Sequence, residues 1–276
     1  MLVRIGSRGS RLALTQAEQA ASRLRRPGVR VAFVPITTAG DRDRSRPFGE
    51  IGERGVFVKE LEEALLAGRV DVAVHSAKDM TSTDTHGLSV GAYLQRDDPR
   101  DALVGASGLR PGMRVGTASA RRRAQLLAAD PTLSVEPLRG NVDTRLRKLR
   151  ERGLDAIVLA ACGLDRLGLS DEIGLRLEPE LMLPEAAQGA LALQVRAGEE
   201  ALVEAADDPE TRRRVEAERV CVAALGAGCL APAAAHHDGR VLTALIAGTD
   251  GEWIERRSGD DPAALGRELA AVAASR

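Results

Sequence analysis

Short apolar runs of strand length alternate along this chain with stretches whose apolar residues recur every three or four positions. Residues 2–5 predict a strand. Residues 10–25 carry Leu12, Leu14, Ala17, Ala20, Ala21 and Leu24 at helical spacing and stop before Pro27-Gly28. Residues 29–37 predict a second strand, so the chain opens β-α-β, and the short connection favours a parallel pair. Residues 38–55 are polar, charged and glycine-containing, which predicts a long loop acting as a lid. An amphipathic helix over 57–67 ends at Gly68, and 70–74 reads as the next strand.

The pattern restarts after the polar run Gln95-Arg96-Asp97-Asp98-Pro99-Arg100-Asp101, a candidate hinge. Strands are expected over 102–104, 114–116, 133–136 and 154–159, and helices over 119–129 and 141–152. Apolar residues over 183–194 would return the chain to the first unit. A helix over 212–225 breaks at Gly226-Ala227-Gly228-Cys229. Strands over 241–247 and 253–257 and a helix over 262–274 complete a small α+β tail. The expected domains are therefore 1–96 with 188–210, 97–187, and 211–276. No internal repeat or low-complexity segment is evident. Two α/β units joined by a hinge suggest a cleft that closes on a ligand, which says little about chemistry.

Composition narrows the partners. The 276 residues are 44% hydrophobic, ample for real cores. A net charge of -1 gives no bulk attraction to nucleic acid or membrane, and 2% aromatics argue against a base-stacking surface. Cys162, Cys221 and Cys229 form neither a disulfide framework nor a zinc spacing. Cys162 and Cys221 read as core residues. The chain enters a strand pattern at once, without a signal peptide, and no apolar run approaches a membrane span. A cytoplasmic protein is the simplest expectation.

The chemistry concentrates in Val72-Ala73-Val74-His75-Ser76-Ala77-Lys78-Asp79. Ligands of open α/β sheets bind outside the carboxyl ends of strands, and this segment delivers a hydroxyl, a cation and an acid there. A plainer reading makes Ser76 a helix cap with Asp79 completing a capping box. Arginines recur after strand-like runs: Arg8, then Arg121-Arg122-Arg123, then Arg139 with Arg145 one turn on, and Arg166. Guanidinium groups grip carboxylates two-pronged, and helix amino termini add free N–H donors. Several such sites would suit a ligand with many carboxylates or phosphates; a solvated basic face explains any single one. Gly6-Ser7-Arg8-Gly9-Ser10 matches neither a nucleotide loop nor a dinucleotide fingerprint. No metal site or serine–histidine–aspartate arrangement is expected. Read from its glycine loop alone, Cys229 is either a thiol that the backbone can bring into a crowded site or a small packing residue.

Seven stretches in order resemble the hydroxymethylbilane synthase (porphobilinogen deaminase) family over nearly the whole chain. They are Gly6-Ser7-Arg8-Gly9-Ser10-Arg11-Leu12-Ala13-Leu14, Gly55-Val56-Phe57-Val58-Lys59-Glu60-Leu61-Glu62, His75-Ser76-Ala77-Lys78-Asp79, Gly116-Thr117-Ala118-Ser119-Ala120-Arg121-Arg122, Arg139-Gly140-Asn141-Val142-Asp143-Thr144-Arg145-Leu146, Leu183-Pro184-Glu185-Ala186-Ala187-Gln188-Gly189 and Gly228-Cys229. Arg11 and Ala118 depart from the family pattern, as does Glu53-Arg54.

The resemblance implies two periplasmic-binding-protein-like α/β domains around a cleft, plus a small α+β C-terminal domain. It implies a dipyrromethane cofactor bound to Cys229 by a thioether. The implied reaction condenses four porphobilinogen molecules head to tail, losing ammonia at each step, and ends in hydrolytic release of hydroxymethylbilane. Lys78, Ser76, Thr117, Ser119, Arg121, Arg122, Arg139, Gly140 and Arg145 are then expected at the cofactor. Arg8, Ser10, Gln16, Arg139, Arg145 and Arg166 are expected at the substrate, with Arg54 and Lys59 near the end of the lid. Asp79 is expected to be the catalytic acid, stabilising charge on the pyrrole nitrogen and passing protons. A monomer that hands its product to the next enzyme of the pathway is also implied. The alternative is a non-catalytic bilobal module that binds or senses anions. A nucleotide-using transferase lacks a phosphate loop.

Overall fold

The computed structural model describes residues 1–38, 58–81, 85–226 and 231–276. The chain divides into two compact units, Met1–Asp97 with Ala190–Arg213, and Asp98–Gly189 with Arg214–Arg276.

The first unit is built on β1 (Leu2–Arg8), α1 (Arg11–Leu24), β2 (Arg30–Ile36), α2 (Lys59–Leu66), β3 (Val72–Ser76), β4 (Leu88–Tyr93) and a late strand that returns to it. Ser10 caps α1, its hydroxyl accepting from Ala13 N at 3.3 Å. Ala17, Ala20, Ala21 and Leu24 then lie against Val3, Ile5, Val72 and Val74 in one core. Three alanines on that stripe let the helix axis approach the sheet closely. β1 pairs in parallel with both β2 and β3, as the β-α-β opening requires.

The second unit holds β5 (Asp101–Val104), β6 (Arg114–Gly116), α3 (Ala120–Ala129), β7 (Ser134–Glu136), α4 (Val142–Glu151), β8 (Ala156–Ala160), α5 (Ala161–Arg166) and β9 (Ile173–Leu177). The chain then forms β10 (Leu191–Arg196), α6 (Pro209–Leu225), β11 (Ala233–His237), β12 (Leu242–Ala247), β13 (Ile254–Gly259) and α7 (Pro262–Ala274).

Each unit carries a five-stranded mixed sheet, in the orders β2-β1-β3-β10-β4 and β7-β6-β8-β5-β9. Three parallel strands come first in each, followed by one strand antiparallel to both its neighbours. The two sheets thus share a strand plan that no sequence repeat announces. In the first the antiparallel strand is β10, from late in the chain; in the second it is β5, where the chain enters.

The third sheet, β11-β12-β13, is antiparallel and shares a core with α6 and α7 (Cys221, Leu225, Ala244, Ile246, Leu265, Leu269). It packs on α3 within the second unit through Ala124, Leu183, Ala234, Leu245 and Ala247. A side chain at Gly251 would meet the Ala124 carbonyl at 2.3 Å, so this contact admits only glycine. Among the described residues no helix is long and apolar enough to cross a membrane.

Candidate functional site

In the first unit the strand ends converge on a small pocket. Arg8, Ser10 and Gln16 reach it from β1 and α1, and His75, Ser76 and Asp79 from β3 and the turn beyond it. Val58, Leu61 and Val74 make its apolar wall. Ser76 is not the cap that its position suggested: residues Ala77–Asp79 form a single 3-10 turn with no side-chain cap. Its hydroxyl instead accepts from Gln16 Nε2 at 3.0 Å, tying α1 to β3 at the pocket. The turn goes no further, and the chain is extended again at Met80. Asp79 and Lys78 sit half-buried on that turn.

His75 is buried and bonds Gln194 Oε1 through Nε2 at 3.0 Å. Burial pushes its pKa down to about 4, only partly offset by that hydrogen bond.

In the second unit Ser119 caps α3, accepting from Arg122 N at 3.4 Å, and Thr117 Oγ1 accepts from Ser119 N at 3.2 Å. Both hydroxyls therefore organise the amino terminus of α3, from which Arg121 and Arg122 turn inward. These two guanidinium groups are 3% and 5% exposed and meet at Asp101, which has no exposure. Asp101 accepts from Arg122 and pairs with Arg121 Nη1 at 2.8 Å, and Gln188 Nε2 donates to it at 2.9 Å. Arg121 Nη1 and Arg122 Nη1 also donate to the carbonyls of Leu183 and Val158. Two buried cations thus share one carboxylate.

The segment Leu183–Gly189 is held at both ends. Gln125 bonds Leu183 in both directions, and Arg166 Nη2 donates to Gly189 O at 2.7 Å. Ala187 has a φ of 62°, left-handed for a residue with a side chain. Its N–H donates to fully buried Glu218 at 2.6 Å, fixing the turn that aims Gln188 at Asp101.

Arg139 and Gly140 precede α4, which Asn141 caps by accepting from Thr144 N at 2.9 Å. Gly140 has a φ of 124°, and a Cβ there would lie 2.5 Å from Thr144 Cγ2. Only glycine fits, so the backbone that presents Arg139 is set by that residue. Arg145 lies half-buried one turn into α4.

The structure therefore gathers Arg8, Ser10, Gln16, Ser76 and Asp79 in one pocket, and Thr117, Ser119, Arg121 and Arg122 around one helix end. Sequence reasoning missed Asp101, Gln188, Gln194 and Glu62 as partners of the site. Asp101 carried a signal, a carboxylate at the start of an apolar strand, but it was absorbed into the hinge reading. Cys229, Arg54 and nearly all of the lid fall outside the described residues; Lys59 opens α2 and is exposed. Cys162 and Cys221 are buried as expected, and burial together with Glu218 pushes the Cys221 thiol up to about 11. No cluster of metal-ligating side chains occurs among the described residues.

Residues 3–204 match the family model described as porphobilinogen deaminase, dipyromethane cofactor binding domain. A porphobilinogen deaminase of Roseiflexus castenholzii is 47% identical, over 96% of this chain and 93% of the relative. One from Trichlorobacter lovleyi is 43% identical, over 97% and 91%. Among solved structures, a periplasmic substrate-binding protein of an ABC transporter from Coxiella burnetii aligns with 76% of this chain and 94% of its own. It does so at 15% identity and a TM-score of 0.45.

Proposed function

This chain belongs to the porphobilinogen deaminase family and is a hydroxymethylbilane synthase, and from that premise we propose that Asp79 is its catalytic acid and base and Cys229 its cofactor-bearing residue. The enzyme is a transferase of tetrapyrrole biosynthesis that uses a dipyrromethane cofactor. It joins four porphobilinogen units head to tail, releases ammonia from each, and hydrolyses the product to hydroxymethylbilane. The observation that carries the residue assignment is the convergence of Asp79 with Arg8, Ser10, Gln16 and Ser76 on one pocket.

The substrate brings an acetate and a propionate on every pyrrole, so the site must bind carboxylates repeatedly. Arg8 with Ser10 and Gln16 takes them at the pocket, and Arg166 serves the same class of group. Asp79 accepts the pyrrole N–H and stabilises the positive charge that develops on that nitrogen as ammonia departs. It then receives the proton lost from the attacked ring carbon, so the acid form is ready for the next leaving amine.

The residues present fit the cofactor. Arg121 Nε and Nη2 are buried without hydrogen-bond partners among the described residues, and the Arg121–Arg122–Asp101 cluster holds one cation more than it neutralises. Such a cluster asks for an acidic group. In the second unit Arg121, Arg122, Arg139 and Arg145 would hold the carboxylates of dipyrromethane, with Thr117, Ser119 and the Gly140 turn supporting them; Ser76 and Lys78 would serve the same class of group in the first unit. When bound, the group supplies a nucleophilic pyrrole carbon as the acceptor of the first unit.

The protein acts as a cytoplasmic monomer that releases its product to the next enzyme of the pathway; sedimentation of the purified holoenzyme checks the monomer. The non-catalytic anion-binding reading is not favoured, since the matched relatives are deaminases aligned over nine-tenths of their length. Intact mass of the purified protein, followed by peptide mapping, tests the assignment: an excess of two linked pyrroles on Cys229 is expected. An adduct on Cys162 or Cys221 would overturn it.

A further inference from the structure

Outside the carboxylate-binding residues, one chain of polar side chains reaches the pocket from behind. Glu62, on α2, accepts from Gln194 Nε2 at 2.8 Å and from Thr85 Oγ1 at 2.9 Å. Gln194 lies on β10, which runs antiparallel to β3 with Ala192 opposite His75. Its amide oxygen meets His75 Nε2 at 3.0 Å. A carboxylate that accepts fixes which end of the amide faces it: the NH₂ must point to Glu62, leaving the oxygen for His75. An amide oxygen cannot donate, so the hydrogen of that bond belongs to His75 Nε2. The other ring nitrogen, Nδ1, is then the one with a lone pair, and His75 lines the pocket beside Ser76 and Asp79.

We propose that Glu62 and Gln194 are positioning residues that lock His75 as the Nε2–H tautomer, so that Nδ1 offers the pocket a fixed acceptor for an N–H of the incoming substrate. The inference rests on the synthase reading only for the identity of that substrate. Its physical reason is the mixed character of the ligand. Arg8 and Lys78 repel the aminomethyl group in its ammonium form, and His75 gives that end a neutral acceptor that does not compete with Asp79 for protons. A ring with a pKa near 4 takes up no second proton at neutral pH, so it orients rather than shuttles.

The first test is the ¹⁵N spectrum of uniformly labelled holoenzyme, whose four imidazoles report their tautomers through long-range proton–nitrogen couplings. The His75 signals, identified by their loss in His75→Asn, are expected to show a protonated Nε2 and a bare Nδ1. An Nδ1–H tautomer overturns the proposal whatever the enzyme does. The second test is steady-state kinetics with porphobilinogen. His75→Phe and Gln194→Met, each checked for native melting and for the cofactor mass, should raise KM about five- to tenfold with kcat within about twofold, as loss of a neutral hydrogen bond implies. His75→Asn, which returns an acceptor near the place of Nδ1, should recover part of that KM. An unchanged KM in folded His75→Phe, or a loss confined to kcat, would refute the contact. A wild-type holoenzyme that fails to turn over porphobilinogen would instead refute the synthase assignment, leaving the tautomer result to stand by itself.

Discussion

Asp101 Oδ1 accepts from both Nε and Nη2 of Arg122, at 3.1 and 2.7 Å, and both side chains are buried. Burial alone would push this carboxyl up. The charges and hydrogen bonds of Arg121 and Arg122 outweigh it and hold Asp101 well below the usual carboxylate range.

Removing that carboxylate leaves two guanidinium groups buried and uncompensated. Asp101→Ala should therefore cost about 3–5 kcal/mol, far more than deletion of an exposed ion pair. Urea unfolding of the cofactor-free protein, where no ligand carboxylate can take the place of Asp101, reads the value. A loss below about 1 kcal/mol would mean that the cluster is hydrated in solution.

Asp79 is half-buried on a 3-10 turn and has no place in the cores of the first unit. Asp79→Asn should keep the fold and the cofactor mass while turnover drops by about 10²–10⁴, the usual worth of a positioned acid–base group. Single-turnover ammonia release with intact-mass control distinguishes lost chemistry from lost cofactor. Wild-type turnover in this variant would remove Asp79 from the mechanism.

His75 makes the protein sensitive to mild acid. Its pKa is pushed down to about 4 in the fold against about 6.5 in an unfolded chain. Between those values the unfolded state binds the proton and the folded state does not, so stability rises with pH across the window and falls on acidification. The contribution lost by pH 4 is roughly 3 kcal/mol. Denaturation midpoints measured from pH 4 to 7 should slope less in His75→Phe than in wild type; parallel slopes would show that the ring protonates in place.

The thiols should separate by accessibility. Cys162 and Cys221 are buried, and Cys221 is held neutral at any ordinary pH by a pKa near 11. Iodoacetamide at pH 8 should leave both unmodified in the native holoenzyme and label both in urea. Cys229, blocked by its thioether, should stay unlabelled in either state. A third label on unfolding would mean that the thioether is absent.

The elements most legible in the sequence were those whose local signals agree with their packing. α1, α3, α4 and α7 combine helical periodicity with a side-chain cap from Ser10, Ser119, Asn141 or Asp261. β4, β9, β11 and α5 were missed because their neighbours define them. β11 reads Ala-Ala-Ala-His-His, with no strand propensity, and exists through its register with β12. At the site, the residues that face a ligand were read from their position after strands. Asp101, Gln188, Gln194 and Glu62 were not, because a buried polar side chain is recognised by its partner, and those partners lie 21 to 132 positions away.

The order of strands in the first sheet has a consequence for how the polypeptide acquires its shape during synthesis. β10 fills the space between β3 and β4, yet it emerges from the ribosome only after every strand of the second sheet. The second sheet, complete within residues 101–177, can close from contiguous chain. The first must wait, with β3 and β4 exposing unpaired edges of the kind that draw chaperones or other nascent chains. A nascent chain whose emerged part ends between residues 177 and 191 should carry a finished second sheet and an open first one. The His75 pocket would then be among the last features of the molecule to form.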